Sequence, residues 1–448
     1  MINQRDTENG FAAQRGQVLV LGMVLAGLAL VAFTRYFHTG QVVAARARQT
    51  HALDAAAYSG ALVQARALNM LAYMNRAQVG HHIAMAHLVT LASWAHLAGA
   101  EAQQLSRANP PAYLIGMLFG TPHGAAYLAA AQAAGFGAMA RSSGDLGAAY
   151  AAHDQVVQRT LATAQDQVVN SLPLARDQAM LAVLNQNFPP KAHHLDSDGP
   201  RSFDLTVRDD QWPGFLQRYS GQTLRPFLIQ TSQLYRFLAP RDHTARNAWA
   251  VDARCPSRRH ELRRRGNTQL DAAGRWQSVD TQSFHALRSN RWIGCYFREY
   301  AMGWGWIPSA PTQGLADPHV SDPPENFSSQ DFWRWVQEHT DWNISGGSAN
   351  PFANSKASVE RQRWQGGGLR SFFDTRPNSE LSVGFTVELI HPGPDDLMIT
   401  THSAAESFFK RPQARHDQRQ ERANLFRPYW QSRLSPGLDS GLRPGVSP

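Results

Sequence analysis

Gly16–Thr34 reads GQVLVLGMVLAGLALVAFT, with no charge, no proline and an arginine at each end, Arg15 and Arg35. At about 1.5 Å of rise per residue, its Val18–Thr34 part covers roughly 25–30 Å as a helix, the thickness of a bilayer core. The helical pattern continues past it. No proline occurs before Pro110, and the intervening residues are rich in Ala, Leu, Arg, Gln and Met, all good helix formers. The stretch therefore predicts a transmembrane helix over 15–35 that runs directly into an alanine-rich helical region over 36–190. A cleaved signal peptide fits less well. Arg35-Tyr36-Phe37-His38 follows the apolar run, with no small-x-small site.

Within the long helix, bends are expected at Gly40, Gly60 or Gly80. Ala52, Ala56 and Gly60 stand four apart and form a ridge of small residues that lets another helix approach closely. Asp54 points away from that ridge, and a solvated aspartate is expected there. Leu68, Leu71, Met74, Ile83, Met85, Leu88, Val89, Leu91 and Trp94 continue an apolar face at helical spacing. Pro110-Pro111 stops the helix. Further helices are predicted over about 124–141 and 145–187, the second with a kink or restart at Pro173.

After residue 190 alanine thins out, while Trp, Phe, Arg, Gly and Pro rise. Residues 191–200 read as a linker and 201–435 as a mixed α+β domain. Short alternating runs predict strands at 202–207, 261–265, 275–279, 283–287, 292–300, 381–390 and 396–404, with a hairpin turn at Ala272-Ala273-Gly274. One helix is expected within 215–238, starting near Pro226. Pro, Gly, Ser and Asn mark loop insertions near 308–330 and 343–369. Residues 1–14 and 436–448 read as disordered tails. The fold class is α+β: a membrane helix, a helical stalk or bundle, then a mixed domain.

The residues flanking the apolar run suggest a family. Arg15-Gly16-Gln17 precedes it, Gln49-Thr50-x-Ala52-x-Asp54-Ala55-Ala56-Ala57 follows, and Leu68-Asn69-x-Leu71-Ala72-Tyr73-x-Asn75-Arg76 comes next. Ser403–Pro412 and Asn424–Leu434 supply a closing segment. Over roughly 12–100 and 400–434 the chain resembles the TadE/TadG-like proteins of Flp (Tad) pilus assembly. The resemblance implies a single-pass bacterial inner-membrane protein with a cytoplasmic N-terminus and its bulk in the periplasm. Such a protein would act as a minor-pilin-like or assembly subunit through helix packing and contacts with pilin or assembly subunits. Lys and Arg counts on the two sides of the span do not decide the orientation, so translocation follows from the resemblance. Arg15-Gly16-Gln17 also invites comparison with prepilin processing at Gly16–Gln17. Leu21 stands where prepilins carry a glutamate, however, and cleavage is not the expected outcome.

In an oxidising periplasm Cys255 and Cys295 can pair, the alternative being two unpaired buried cysteines. The net charge of +8 and pI near 9.8 come almost wholly from arginines dispersed along the chain, which argues against a nucleic-acid stripe. His81, His82, His87 and His96 share the long helix, but no pair has the i, i+4 spacing of a helical metal site. No G-x-S-x-G elbow, P-loop or dinucleotide fingerprint occurs, and Asp280-Thr-Gln-Ser283 lacks the Asp-x-Ser-x-Ser spacing of a von Willebrand-type metal motif. Asp209-Asp210 and Asp395-Asp396 read as solvated turns. Arg291–Trp306 reads as a core strand followed by a glycine-rich turn, in preference to a single-strand stacking platform. No catalytic residue, metal, cofactor, nucleic acid or small-molecule substrate is expected; the partners are the lipid bilayer and other pilus subunits. The rival functions are a membrane-anchored cell-envelope enzyme and a DNA-binding component of a transport machine.

Overall fold

The computed structural model describes residues 15–189, 203–292, 294–308, 364–377, 381–417, 419 and 421–436. The tails, the 191–200 linker and most of the two loop insertions fall outside the described residues. Helix α1 (Arg15–Ser106) runs unbroken for 92 residues, so Gly40, Gly60 and Gly80 do not interrupt it. It is followed by α2 (Ala112–Phe119), α3 (Thr121–Ala129), α4 (Phe136–Met139), α5 (Asp145–Gln155) and α6 (Ala162–Asn187). The helix predicted over 124–141 is thus split into short pieces. The restart expected at Pro173 lies instead at a π-helical turn, Val156–Leu161, while Pro173 is accommodated inside α6. Helices α7 (Trp212–Phe215) and α8 (Arg225–Ser232) complete the set among the described residues.

Among the described residues ten strands form two four-stranded sheets and a pair. The first sheet has the order β1 (Asp204–Arg208), β8 (Ser382–Pro392), β9 (Met398–Phe409), β10 (Trp430–Ser435). The second has β3 (His243–Arg246), β4 (Glu261–Leu270), β5 (Trp276–Asn290), β6 (Gly294–Ile307). Both are antiparallel throughout. Strands β2 (Leu216–Tyr219) and β7 (Phe372–Thr375) make the pair. Of the described residues 52% are helical and 24% are strand, a mixture of helix and sheet compatible with α+β.

The chain divides into two compact units, and neither is a stalk. The first takes the described residues within 1–70, 168–217 and 375–448; the second takes those within 71–167 and 218–374. The expected order of helical region and then mixed domain is therefore replaced by two units that each combine helix with sheet. The physical reason is mutual cover: alanine-rich helices bury little on one another, and each sheet has an apolar face that must leave water.

In the first unit, Leu53, Ala57 and Ala61 of α1 and Met180 and Leu184 of α6 pack on Phe385, Val387 and Leu389 of β8 and Ala405 of β9. Val383, Phe385, Val387 and Leu389 are buried at every second position, the period of a strand with one covered face. In the second unit, Ile115, Leu118 and Tyr127 of α2 and α3 meet Leu262, Phe284, Ala286 and Met302 of the sheet. Residues 301–307 are strand, correcting the glycine-rich turn expected there, and Trp304 and Trp306 are buried. Gly305 lets β6 lie directly on α1: a Cβ there would collide with the Ser93 carbonyl oxygen.

Candidate functional site

The feature with the clearest functional chemistry is the start of α1. From Val18 to Val31 the large apolar side chains are exposed, and Phe33, Tyr36 and Phe37 continue the series. A water-soluble body does not leave so long an apolar surface uncovered. This part of the helix is long and apolar enough to cross a membrane, with none of its apolar window buried in the protein. Gly16 and Gln17 occupy its first turn.

Past the span, α1 is fastened to the first unit's sheet by side chains that reach backbone groups. Gln49 Nε2 donates to the carbonyls of Leu389 (3.1 Å) and Ile399 (2.9 Å), and Gln64 Nε2 to that of Val383 (2.9 Å). Ser407 Oγ donates to the Ala61 carbonyl at 2.8 Å. Asp54 is not a solvated aspartate: it accepts a 2.6 Å bond from Ser403 Oγ. Asn69 donates to the Trp430 carbonyl at 2.9 Å and accepts from the Trp430 N–H at 3.0 Å. Two sequence motifs more than three hundred residues apart thus meet in one amide clasp. Replacing Asn69 by alanine leaves both Trp430 backbone groups without that partner, and the expected cost is about 2–3 kcal/mol. Urea unfolding of the full chain in detergent measures it; an unchanged midpoint would show that the clasp contributes nothing.

The ridge of Ala52, Ala56 and Gly60 is buried inside the first unit. A Cβ at Gly60 would stand 2.9 Å from Met180 Cγ and 3.0 Å from Phe385 Cζ. The close approach predicted from the small residues occurs, but the partners are α6 and β8 of the same chain. The ridge is therefore not open to a second subunit. Asp210 likewise departs from the solvated turn expected of it. Its two oxygens accept from Arg176 at 2.9 and 2.8 Å, and the buried guanidinium also lies over the Phe385 ring. That pairing holds the Asp210 carboxyl below its ordinary range against the upward push of burial.

In the second unit Cys255 and Cys295 form a disulfide. Asp280, fully buried on β5, accepts from Arg241 Nε (2.9 Å) and Nη2 (2.8 Å) and from Ser93 Oγ (2.8 Å). Thr268 and Ser278 extend the cluster with hydroxyl contacts of 2.7 Å to Thr90 and 2.9 Å to each other. Burial pushes the Asp280 carboxyl up, against the pull of Arg241. Each carboxylate oxygen is engaged, so the cluster is a structural clamp of α1 on the sheet, and no reactive group stands free in it. Sequence spacing could not reveal it, because its members come from α1, β4, β5 and the segment before β3.

The histidines behave differently from a metal set. His81 Nδ1 lies 2.7 Å from His153 Nδ1 of α5, so one ring must donate and the other accept. Burial, with the His153 charge second, lowers the His81 pKa. His82 is fully buried and neither of its ring nitrogens has a hydrogen-bond partner among the described residues, while His96 Nδ1 accepts from the Trp306 N–H at 3.4 Å. Burial brings both to about 4, with the His81 charge adding to the effect at His82. Among the described residues no three metal-ligating side chains converge.

Lys410, Arg411, Arg415 and Arg419 line a surface pocket in the loop between β9 and β10. Glu421 pairs with Arg411 and Arg427, and Asp417 with Arg415, which offsets much of the positive charge a polyanion would need. No protein-family model, curated protein or solved structure matches the chain.

Proposed function

We propose that the protein is a single-pass inner-membrane subunit of Flp/Tad-type pilus biogenesis, with both folded units in the periplasm. The observation that carries this reading is helix α1 itself. An uncovered apolar span passes without a break into a helix that organises the first unit, so force or position in the membrane is transmitted to the folded body. The Asn69–Trp430 clasp supports it as well, since it joins two of the segments on which the resemblance rests. The role is physical: the span anchors the chain and packs against pilin helices, while the folded units contact other parts of the machine.

A membrane-impermeant thiol reagent applied to spheroplasts tests the topology. Labelling of Cys255 and Cys295 only after reduction is expected. Labelling only after lysis, with no reductant needed, would put the second unit in the cytoplasm and sink the reading. Deleting the gene from its host should abolish the pili, and the full chain should restore them. Normal pili in the deletion strain would leave the topology standing but remove the role.

A further inference from the structure

We infer that the β8–β9 hairpin tip is a second membrane contact, lying in the headgroup layer beside the α1 span. The inference rests on the reading of that span as a membrane anchor. The tip, Gly393–Met398, is a closed turn in which Gly393 N–H donates to the Leu397 carbonyl (2.8 Å) and Leu397 N–H to the Pro394 carbonyl (3.2 Å). Asp395 and Asp396 hold the left-handed backbone that such a turn needs. Two large apolar side chains, Leu397 and Met398, are 52% and 57% exposed at this tip, and Ile399 behind them is buried.

The position of the tip along α1 is set by two contacts within the first unit. Gln49 holds the Ile399 carbonyl, and His38 Nδ1 lies 3.1 Å from Asp395 Oδ2. His38 is four residues beyond Thr34, the last residue of the apolar run, or about 6 Å along the helix. The polar layer of a bilayer extends roughly 5–8 Å beyond the hydrocarbon core on each side. The Asp395 end of the tip therefore falls within that layer, at the level of the exposed Tyr36 and Phe37, whose rings suit the same zone, and Leu397 and Met398 stand just behind it on the side of Gln49. Asp395 and Asp396 set the depth. Carboxylates are costly in hydrocarbon but tolerated among headgroups, so the tip rests at the interface and goes no deeper. Continuity with the anchor identifies the occupant as lipid: a protein partner here would have to sit within the headgroups.

Nitroxide labelling of the full chain in vesicles of phosphatidylethanolamine with a minority of phosphatidylglycerol tests this, the native cysteines staying in their disulfide. Three single variants carry the label. Leu25→Cys lies in the span, Leu397→Cys at the tip, and Leu434→Cys is an exposed leucine on β10 opposite Ala405, well along the sheet from the tip. The expected result is an oxygen-to-nickel-complex accessibility ratio several-fold higher at Leu397→Cys than at Leu434→Cys, and highest at Leu25→Cys. If Leu25→Cys is lipid-immersed while Leu397→Cys matches Leu434→Cys, the tip contact is overturned and the anchor stands. If Leu25→Cys is itself water-exposed, the anchor reading fails and the tip contact falls with it.

Discussion

Reducing the Cys255–Cys295 bond lowers the stability of the second unit by about 4 kcal/mol. The two cysteines are 40 residues apart, and in the chain-entropy description a closed loop of that length removes roughly this much free energy from the unfolded chain. The bond ties the segment between β3 and β4 to the start of β6. Arg258 adds a further link there, to the Cys295 carbonyl at 2.9 Å. Urea titration of the full chain with and without reductant measures the effect, and a Cys255→Ser, Cys295→Ser double variant should reproduce the reduced curve. Because the units can unfold separately, tryptophans of the second unit are the probe to follow. Coincident curves in the two redox states would show that the bond does not constrain this unit. A loss of the expected size would tie correct folding to an oxidising compartment, on the same side of the membrane as the proposed periplasmic units.

How much of this was readable in the sequence depends on the range of the interaction. Helix α1 was legible because its signal is local: a charge-free apolar run followed by good helix formers without proline. The β4–β5 hairpin was legible for the same reason, with Gly274 at a φ of 78° where the turn was expected. Strands β2, β3, β7 and β10 went unread. Each is short, and β10, Trp430-Gln-Ser-Arg-Leu-Ser435, becomes a strand because β9 offers it an edge and Asn69 fixes its first residue. Gly303 and Gly305 suggest a turn when read locally, yet they are strand residues thinned so that α1 can lie on them. The small-residue ridge was seen but its partner was not, since spacing on one helix does not say which element fills the groove. The same limit hid the two-unit division, which depends on segments returning from beyond residue 374 to cover a helix that began before residue 70.

Acid titration separates opposing groups in the second unit, and substituting one of them reveals the others. His82 and His96 have pKa values of about 4 in the fold and near 6.5 unfolded. Depressed histidine values mean stability that is complete above pH 6.5 and lost as the pH falls through 4, about 3 kcal/mol each between pH 7 and pH 4. Glu101 works the other way. Its side chain is half-buried, its Oε1 lacks a hydrogen bond among the described residues, and burial lifts its pKa to about 7 against the pull of Arg264. A raised carboxyl adds stability that is complete below about pH 4.5 and lost as the pH rises through 7, again about 3 kcal/mol. One histidine and Glu101 therefore cancel, and the three groups together leave a loss of about 3 kcal/mol on acidification. Asp280 and Asp154, raised by burial, reduce it, and His81, His87, His260 and Glu261, all lowered, add to it, but equally in every variant. Glu101→Gln should roughly double the three-group loss to about 6 kcal/mol, while His82→Leu should nearly abolish it. Urea unfolding of each protein at pH 7 and pH 4 supplies the comparison. The order Glu101→Gln, wild type, His82→Leu in decreasing acid sensitivity is the expected result. Parallel pH dependence in all three would mean that neither side chain changes protonation on folding, and that burial at these two positions is relieved by water reaching the ring and the carboxyl.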